Sequence, residues 1–588
     1  MKKIKLIIAA IIATGAMASC SDMLETDSTR QVFNPTLDQK TDSMFFTVGI
    51  LRDMQLLADQ YVLTNEMRGD LVTTTDATET ALRELANFSA NSSNKYDSAY
   101  VYYRVINNCN YYITHRDTSL VTGSKKVTLD EFAEAKAIRA WAYLQLAKTY
   151  GSVPFFTDPI TSISDVNKDY PKKDIAGICE ALAPDLIQYS GAELPNYGQI
   201  DCGKTNWGSA KTVESIRCMI PVDVVLGDLY LESNQYDKAA QYYSNYLRQN
   251  KLASGGYFTN PFLYPDSKVL PNDLSVSYSS GSTWSRIFSN NSTVDLITYI
   301  PMAVNKLKGT TSSLPEMFGF DYYGTEGTRT VYRQIEPSKS YYNLCDKQDY
   351  YYIQASGTII DESKVNNLHI GDMRRYTITK SATQDDSTYN FILKYDYANV
   401  LLYRTNVIYL KLAEALNRMG YPDAAFAVLK DGLKEDLASD TTYITSDTKK
   451  LLTTTLPFFN HAYASIFDKN SGIHHNGSNL TEGTFTPYQM DSIVGNKMSE
   501  IGSTYGAVIG QTKADTINAV EDLICDEYAL ECAFEGSRFG DLCRIARHKN
   551  AAGTYNSNFG GIWLKNKLAY KKPVVNLEEE SNWYLPFK

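Results

Sequence analysis

Nowhere in these 588 residues do two cysteines stand in a CxxC spacing, and no HExxH, GxSxG or phosphate-binding glycine loop occurs. The first absence excludes zinc ribbons and dithiol redox sites; the others exclude the common zinc peptidase, serine hydrolase and nucleotide-binding motifs. Long runs of charge of either sign are also missing. With 67 acidic against 57 basic residues and a net charge of -10, the chain lacks the clustered Lys and Arg that phosphate backbones require, so nucleic acid is not an expected partner. Tryptophan is scarce, at 5, whereas tyrosine reaches 44 against 22 Phe. Tyrosine buries a flat apolar face while its hydroxyl stays paired or wet, which suits both an aromatic core and an aromatic surface.

Of the nine cysteines, eight (109, 179, 202, 218, 345, 525, 532, 543) follow no disulfide framework. Cys525, Cys532 and Cys543 read as small apolar filler on one helix face. Cys20 differs because of what precedes it: Lys2, Lys3 and Lys5, then an apolar run from Leu6 to Ala18, closing on "GAMASCSD" (15 to 22). A basic start, a short apolar run and small residues before a cleavage point make a secretory signal, too short to span a bilayer. Cleavage before Cys20 resembles a bacterial lipoprotein box, with Met17 where leucine is more usual. The cysteine sulfur then takes a diacylglycerol and the new amino terminus an acyl chain. Several chains together anchor a protein firmly where one would not. The alternative is a conventional signal peptide that ends near a cysteine. The expectation is a leader over 1–19 and a mature chain over 20–588.

Helical repeats organise the mature chain. In "LGDLYLESNQYDKAAQYYSNY" (226 to 246), Leu226, Gly227 and Tyr230 fall on one helix and Ala239, Tyr243 and Tyr246 on the next, at tetratricopeptide offsets. Gly227 and Ala239 let the two helices approach while larger residues fill the groove. Leu412, Ala413, Leu416, Ala425 and Leu429 repeat the offsets, with "GYPD" (420 to 423) as the turn. Two such units cannot bury their faces alone, and further helices are expected over 100–113, 128–150 and 175–195, the second opened by a Thr128–Glu131 capping box. The fold class is mainly α: a tetratricopeptide-like bundle, mainly 40–250, 401–435 and 516–550. A large loop-rich region with short strands and helices, mainly 251–400 and 436–515, completes it.

The anchor "CSDMLE", the helix "RAWAYLQLAKTYGSVPFF", the repeat "IYLKLAEALNRMG", the late helix "ICDEYALECAFEGSRFGDLCR" (524 to 544) and the terminal "YLPF" come in the order of the SusD/RagB outer-membrane nutrient-binding lipoproteins, and the chain resembles that family from Cys20 to its end. "GDMRR" (371 to 375) lies near the family's frequent Asp-x-Arg. Tyr528 departs from it, standing where arginine commonly follows the glutamate, which puts one local ion pair in doubt. The resemblance implies a surface-exposed, lipid-anchored outer-membrane protein that caps a SusC-like TonB-dependent transporter and passes it a glycan or, in some members, a peptide. Asp22 and Glu25 are similar to the acidic export signal of such surface lipoproteins.

No catalytic constellation, metal site or cofactor site emerges from the residues. Glu527, Glu531 and Glu535 lie four apart and could pair for glycoside hydrolysis, but Arg538, Asp541 and Arg544 follow at helical spacing and read as an ion-pair ladder. "DVNKD" (165 to 169) imitates a calcium loop, yet Ala176 stands where its bidentate acid belongs. His474 and His475 sit on a polar loop without a third ligand. Binding therefore falls to flat aromatic faces and polar side chains on the loops, in "NSSNKYDSAY" (91 to 100), "YSSGSTWSRIF" (278 to 288) and "MFGFDYYGTEGTR" (317 to 329). Trp284 leads the candidates, with Arg286 beside it and Tyr96, Tyr322 and Tyr323 behind; for each, a place in a hydrophobic cluster is the alternative. Ligand binding without turnover marks a capture protein, released reducing ends a surface glycoside hydrolase, and attachment to host protein an adhesin.

Overall fold

The structure, a computed structural model, describes residues 37–43, 49–204, 210–255, 262–265, 274–277, 288, 295–303, 311–323, 329–348, 351–353, 359–361, 371–372, 374–384, 387–395, 397–440, 442–477 and 488–587. Its longer helices are α1 (Leu51–Glu66), α2 (Thr80–Ala86), α3 (Tyr100–His115), α4 (Leu129–Tyr150), α5 (Ile175–Ile187), α6 (Val222–Glu232), α7 (Tyr236–Gln249), α8 (Lys339–Asp346), α9 (Thr405–Arg418), α10 (Pro422–Lys430), α11 (Met490–Tyr505), α12 (Lys513–Glu531), α13 (Arg538–Ala552) and α14 (Phe559–Leu568). Helix packs on helix in a chain of neighbours: α3 on α4, α4 on α5 and α6, α6 on α7, α7 on α9, and α9 on both α10 and α12. From α12 the packing continues through α13 to α14, and α13 also touches α1.

The two tetratricopeptide-like hairpins are α6–α7 and α9–α10. Gly227 on α6 lies against the Tyr243 ring so closely that a Cβ there would overlap it, and the Tyr243 hydroxyl donates to Asp228 at 2.6 Å. Ala239, Ala413 and Ala425 are fully buried, as are Leu412, Leu416 and Leu429. Gly420, at φ +92°, turns the chain before Pro422 opens α10. Helix α4 is rich in alanine and buried nearly all round, the pattern of a central helix. It stops at Gly151, whose φ of +78° favours glycine.

Three expectations need correction. Thr128 does not cap α4: it has φ -105° and ψ -4°, its hydroxyl donates to the Asp117 carbonyl at 2.9 Å, and Glu131 is held by Arg116 and the Tyr197 hydroxyl. The single late helix over 524–544 is two, α12 and α13. They are broken where Phe534 takes φ 66° and Gly536 φ 92°, and the Gly536 N–H donates to Glu66 at 2.7 Å. The loop-rich segment 436–515 contains α11, 16 residues of which only Val494 and Ile501 are buried, so apolar periodicity hardly marks it.

Two-stranded antiparallel pairs brace the region between the hairpins. Val72–Thr74 (β1) pairs with Ile335–Pro337 (β5), and Leu296–Pro301 (β2) with Asn399–Arg404 (β8); Phe320–Tyr323 (β3) pairs with Arg329–Tyr332 (β4), and Thr379–Gln384 (β6) with Ser387–Ile392 (β7). Every residue of β2 is buried, and β8 runs directly into α9, fixing this region to the helical scaffold. The two ends of the described chain are tied together: Arg538 pairs with Asp70 at 2.6 Å, and Arg68 donates to the Trp583 carbonyl at 2.9 Å. The eight described cysteines are free and buried. No described helix is long and apolar enough to cross a membrane.

Candidate functional site

Between the scaffold and the strand region lies a buried charge network. Arg374 of "GDMRR" reaches Asp372 at 2.7 Å and both Glu527 and Glu531 at 2.8 Å. Arg404 reaches Asp295 at 2.6 Å, Glu531 at 3.0 Å and Glu535 at 2.9 Å, and Lys394 meets Glu535 at 2.6 Å. None of these side chains is more than 6% exposed. Burial pushes the Glu531 carboxyl up, but Arg404 and Arg374 overcome it and hold the group below the ordinary carboxylate range. These glutamates are thus committed to arginine. The ladder runs partly along α13, where Arg544 pairs with Asp541, and partly between elements, with Arg538 on Asp70 and Arg544 on Glu414. Tyr528, the departure from the arginine pattern, is buried with its hydroxyl on Glu414 at 3.3 Å.

His474 and His475 are buried, not displayed on a polar loop. His474 Nδ1 is 2.7 Å from Glu527 and its ring stacks on Tyr488, and burial pulls His475 down to about 3. Asp165 of the calcium-like stretch pairs with Lys168 at 2.7 Å and takes the Ser162 hydroxyl. No group of three metal-ligating side chains occurs among the described residues.

Of the aromatic candidates, Tyr96 has a described side chain. Glu79 stands just before α2 and Tyr96 in the turns before α3; the Tyr96 hydroxyl donates to Glu79 at 2.6 Å and stands 4.0 Å from the Met317 sulfur. Lys95 pairs with Glu79 at 2.8 Å and lies over the Tyr96 ring at 4.9 Å. Burial, with Glu79 alongside, pushes the Tyr96 phenol up, so it stays a donor. After Met317, the Phe318 ring packs 4.7 Å from Tyr395, and Lys394 sits 4.5 Å over Phe288. The Tyr96–Met317 contact brings segments 91–100 and 317–329 together; of 278–288 only Phe288 is among the described residues. Gly319, at φ +108° against Phe391, then starts the β3–β4 hairpin, in which Tyr322 and Tyr323 stand opposite Thr330 and Arg329. Arg333, just beyond β4, lies 4.4 Å over the Tyr389 ring and 3.4 Å from Asp76.

Tyr96 is half-buried. Cys20, Trp284 and Arg286 lie outside the described residues, as do the side chains of Tyr322 and Tyr323. Sequence reasoning missed Glu79, Arg333 and Tyr389. Their only local signal was a charge or ring near a turn, and the pairing of β1 with β5 is what carries Arg333 to Asp76. Ring faces edged by cations and hydroxyls can stack on a sugar ring and hydrogen-bond its hydroxyls.

No protein-family model matches the chain, and no curated protein matches it in sequence. Solved structures do. A SusD superfamily protein from Bacteroides vulgatus superposes with a TM-score of 0.52 at 15% identity, covering 93% of this chain and 95% of the other. This chain has a SusD-like fold. A SusD-like protein from Bacteroides fragilis agrees, with a TM-score of 0.50 at 14% identity over 87% of each chain. The mainly α class with tetratricopeptide-like repeats holds.

Proposed function

We propose that residues 20–588 form a cell-surface lipoprotein, tethered to the outer membrane through Cys20, that binds a glycan and delivers it to a SusC-like TonB-dependent transporter. The observation that carries this is a SusD-like fold spanning 93% of the chain. Two features support it: the leader that ends at Cys20, and the aromatic, cation-edged face around Tyr96, Met317 and Arg333. In this reading Trp284, Arg286, Tyr322 and Tyr323 supply further ligand contacts beside that face. Binding without turnover fits a molecule whose sequence-adjacent glutamates are locked to Arg374 and Arg404. The test is a glycan and peptide array with the purified mature protein, followed by a reducing-end assay on every glycan retained. Retention without new reducing ends is expected. Release of reducing ends would make the protein a hydrolase, and retention of peptides alone would make it a peptide-capture protein.

A further inference from the structure

Helix α11 packs on α12 through Val494 and Ile501, and a cleft of about 600 Å3 lies between it, α8, α12 and α14, a volume typical of small-ligand sites. Two adjacent ridges of α11 line it at helical spacing: Ser492, Asn496, Glu500 and Thr504 on the rim, and Ile493, Lys497, Ile501 and Tyr505 deeper. Ser340, Asn343 and Gln348 form the opposite wall. Among the described residues, the side chains of Asn343, Asn496 and Thr504 have no hydrogen-bond partner and are exposed, so both walls present unspent donors and acceptors.

The charges in the cleft are in a different condition, because each is matched. Lys497 meets Asp526 and Glu500 at 2.9 Å, Lys567 meets Asp526 at 3.5 Å, and Arg538 holds Asp70 at 2.6 Å. Asp522 is paired with Lys549 at 2.9 Å, Glu527 with Arg374 at 2.8 Å, and Lys347 lies 4.0 Å from Glu500. A charged ligand would have to break one of these pairs and leave its partner uncompensated, which is costly away from water. A neutral ligand need not. Leu344, Ile493 and Tyr505 offer apolar and aromatic surface beside the amides and hydroxyls, the mixture that receives the C–H face and the hydroxyl edge of one pyranose ring.

From this geometry we infer a second binding site, in the cleft between α8 and α11, for a short neutral saccharide. It is built from residues that the Tyr96 face does not use, and it stands or falls separately from that face. Isothermal titration with maltotriose, cellotriose, xylotriose and mannotriose tests it, with trigalacturonate as the charged comparison. Asn496→Trp and Ser492→Trp each place a bulky ring into the cleft from an exposed rim position; an unchanged melting temperature certifies the fold, and having two such variants guards against the loss of one. At least one neutral trisaccharide is expected to bind the wild type and to lose about tenfold or more in affinity in both variants, while Tyr96→Ala leaves this component intact. Loss in Tyr96→Ala with no change in the cleft variants overturns the inference and leaves the proposed function standing. Loss in the cleft variants alone supports the inference and leaves the Tyr96 face to its own test on the glycan array. Binding by none of the trisaccharides, or tighter binding of trigalacturonate that the cleft variants abolish, also overturns it.

Discussion

Glu134 on α4 is 1% exposed and accepts the Ile220 N–H, and burial raises its pKa to about 8. A carboxyl whose folded pKa lies above its unfolded value contributes fully below the unfolded value, about 4.5, and loses that contribution as pH rises toward 8. Glu134→Gln keeps an acceptor and, like the neutral acid, carries a donor, but cannot ionise. Its unfolding free energy should match the wild type near pH 4 and exceed it increasingly up to pH 8, by at most about 1.4 kcal/mol per pH unit. A difference that stays flat with pH, measured by calorimetry, would show that Glu134 is not held neutral. Trp284 poses a separate question at this scale. If it stacks on a sugar, Trp284→Ala weakens glycan binding with little change in melting temperature. A buried tryptophan would instead cost roughly 3 to 5 kcal/mol of stability, and that loss with affinity intact would return Trp284 to the scaffold.

Among the elements, the two helical hairpins make opposite demands on glycine from α11. Gly227→Ala drives a methyl into the Tyr243 ring and should destabilise by about 1–3 kcal/mol. Gly495 on α11 has nothing within 4 Å of a built Cβ, so Gly495→Ala should stabilise by roughly 0.5–1 kcal/mol. Urea denaturation of the pair decides, and equal effects would refute the close approach. The hairpins were legible in the sequence because small residues at fixed offsets are what touching helices require. Helix α11 was not, since little of it is buried and its polar face looks outward or into the cleft. The break between α12 and α13 escaped because "ECAFEGSRFG" keeps helical spacing of apolar residues, while the turn is imposed by Glu66, far away in sequence. The site was legible in part: Tyr96 and "MFGF" were picked out by composition and meet in space, whereas Arg333 and Tyr389 join them only through strand pairing that no local pattern encodes.

For the whole molecule, the proposed tether and the proposed partner can be tested together. Cys20→Ser should move the protein from the membrane to the soluble fraction and abolish palmitate labelling; labelling that persists in the variant would rule out the anchor. Solubilised wild type should bring a barrel transporter with it through an interface of more than about 1,000 Å2. Repeated purification without such a partner would count against delivery.

The contacts of Arg68 with Trp583, Glu66 with Gly536 and Asp70 with Arg538 join residues hundreds of positions apart. A ribosome releases α1 long before it has made the residues that complete the surroundings of that helix, and pairings so distant in sequence are slow to form. For a chain exported as proposed, the nascent polypeptide has no finished fold to resist passage through a secretion channel, and its first helix reaches its final setting only when the last residues arrive.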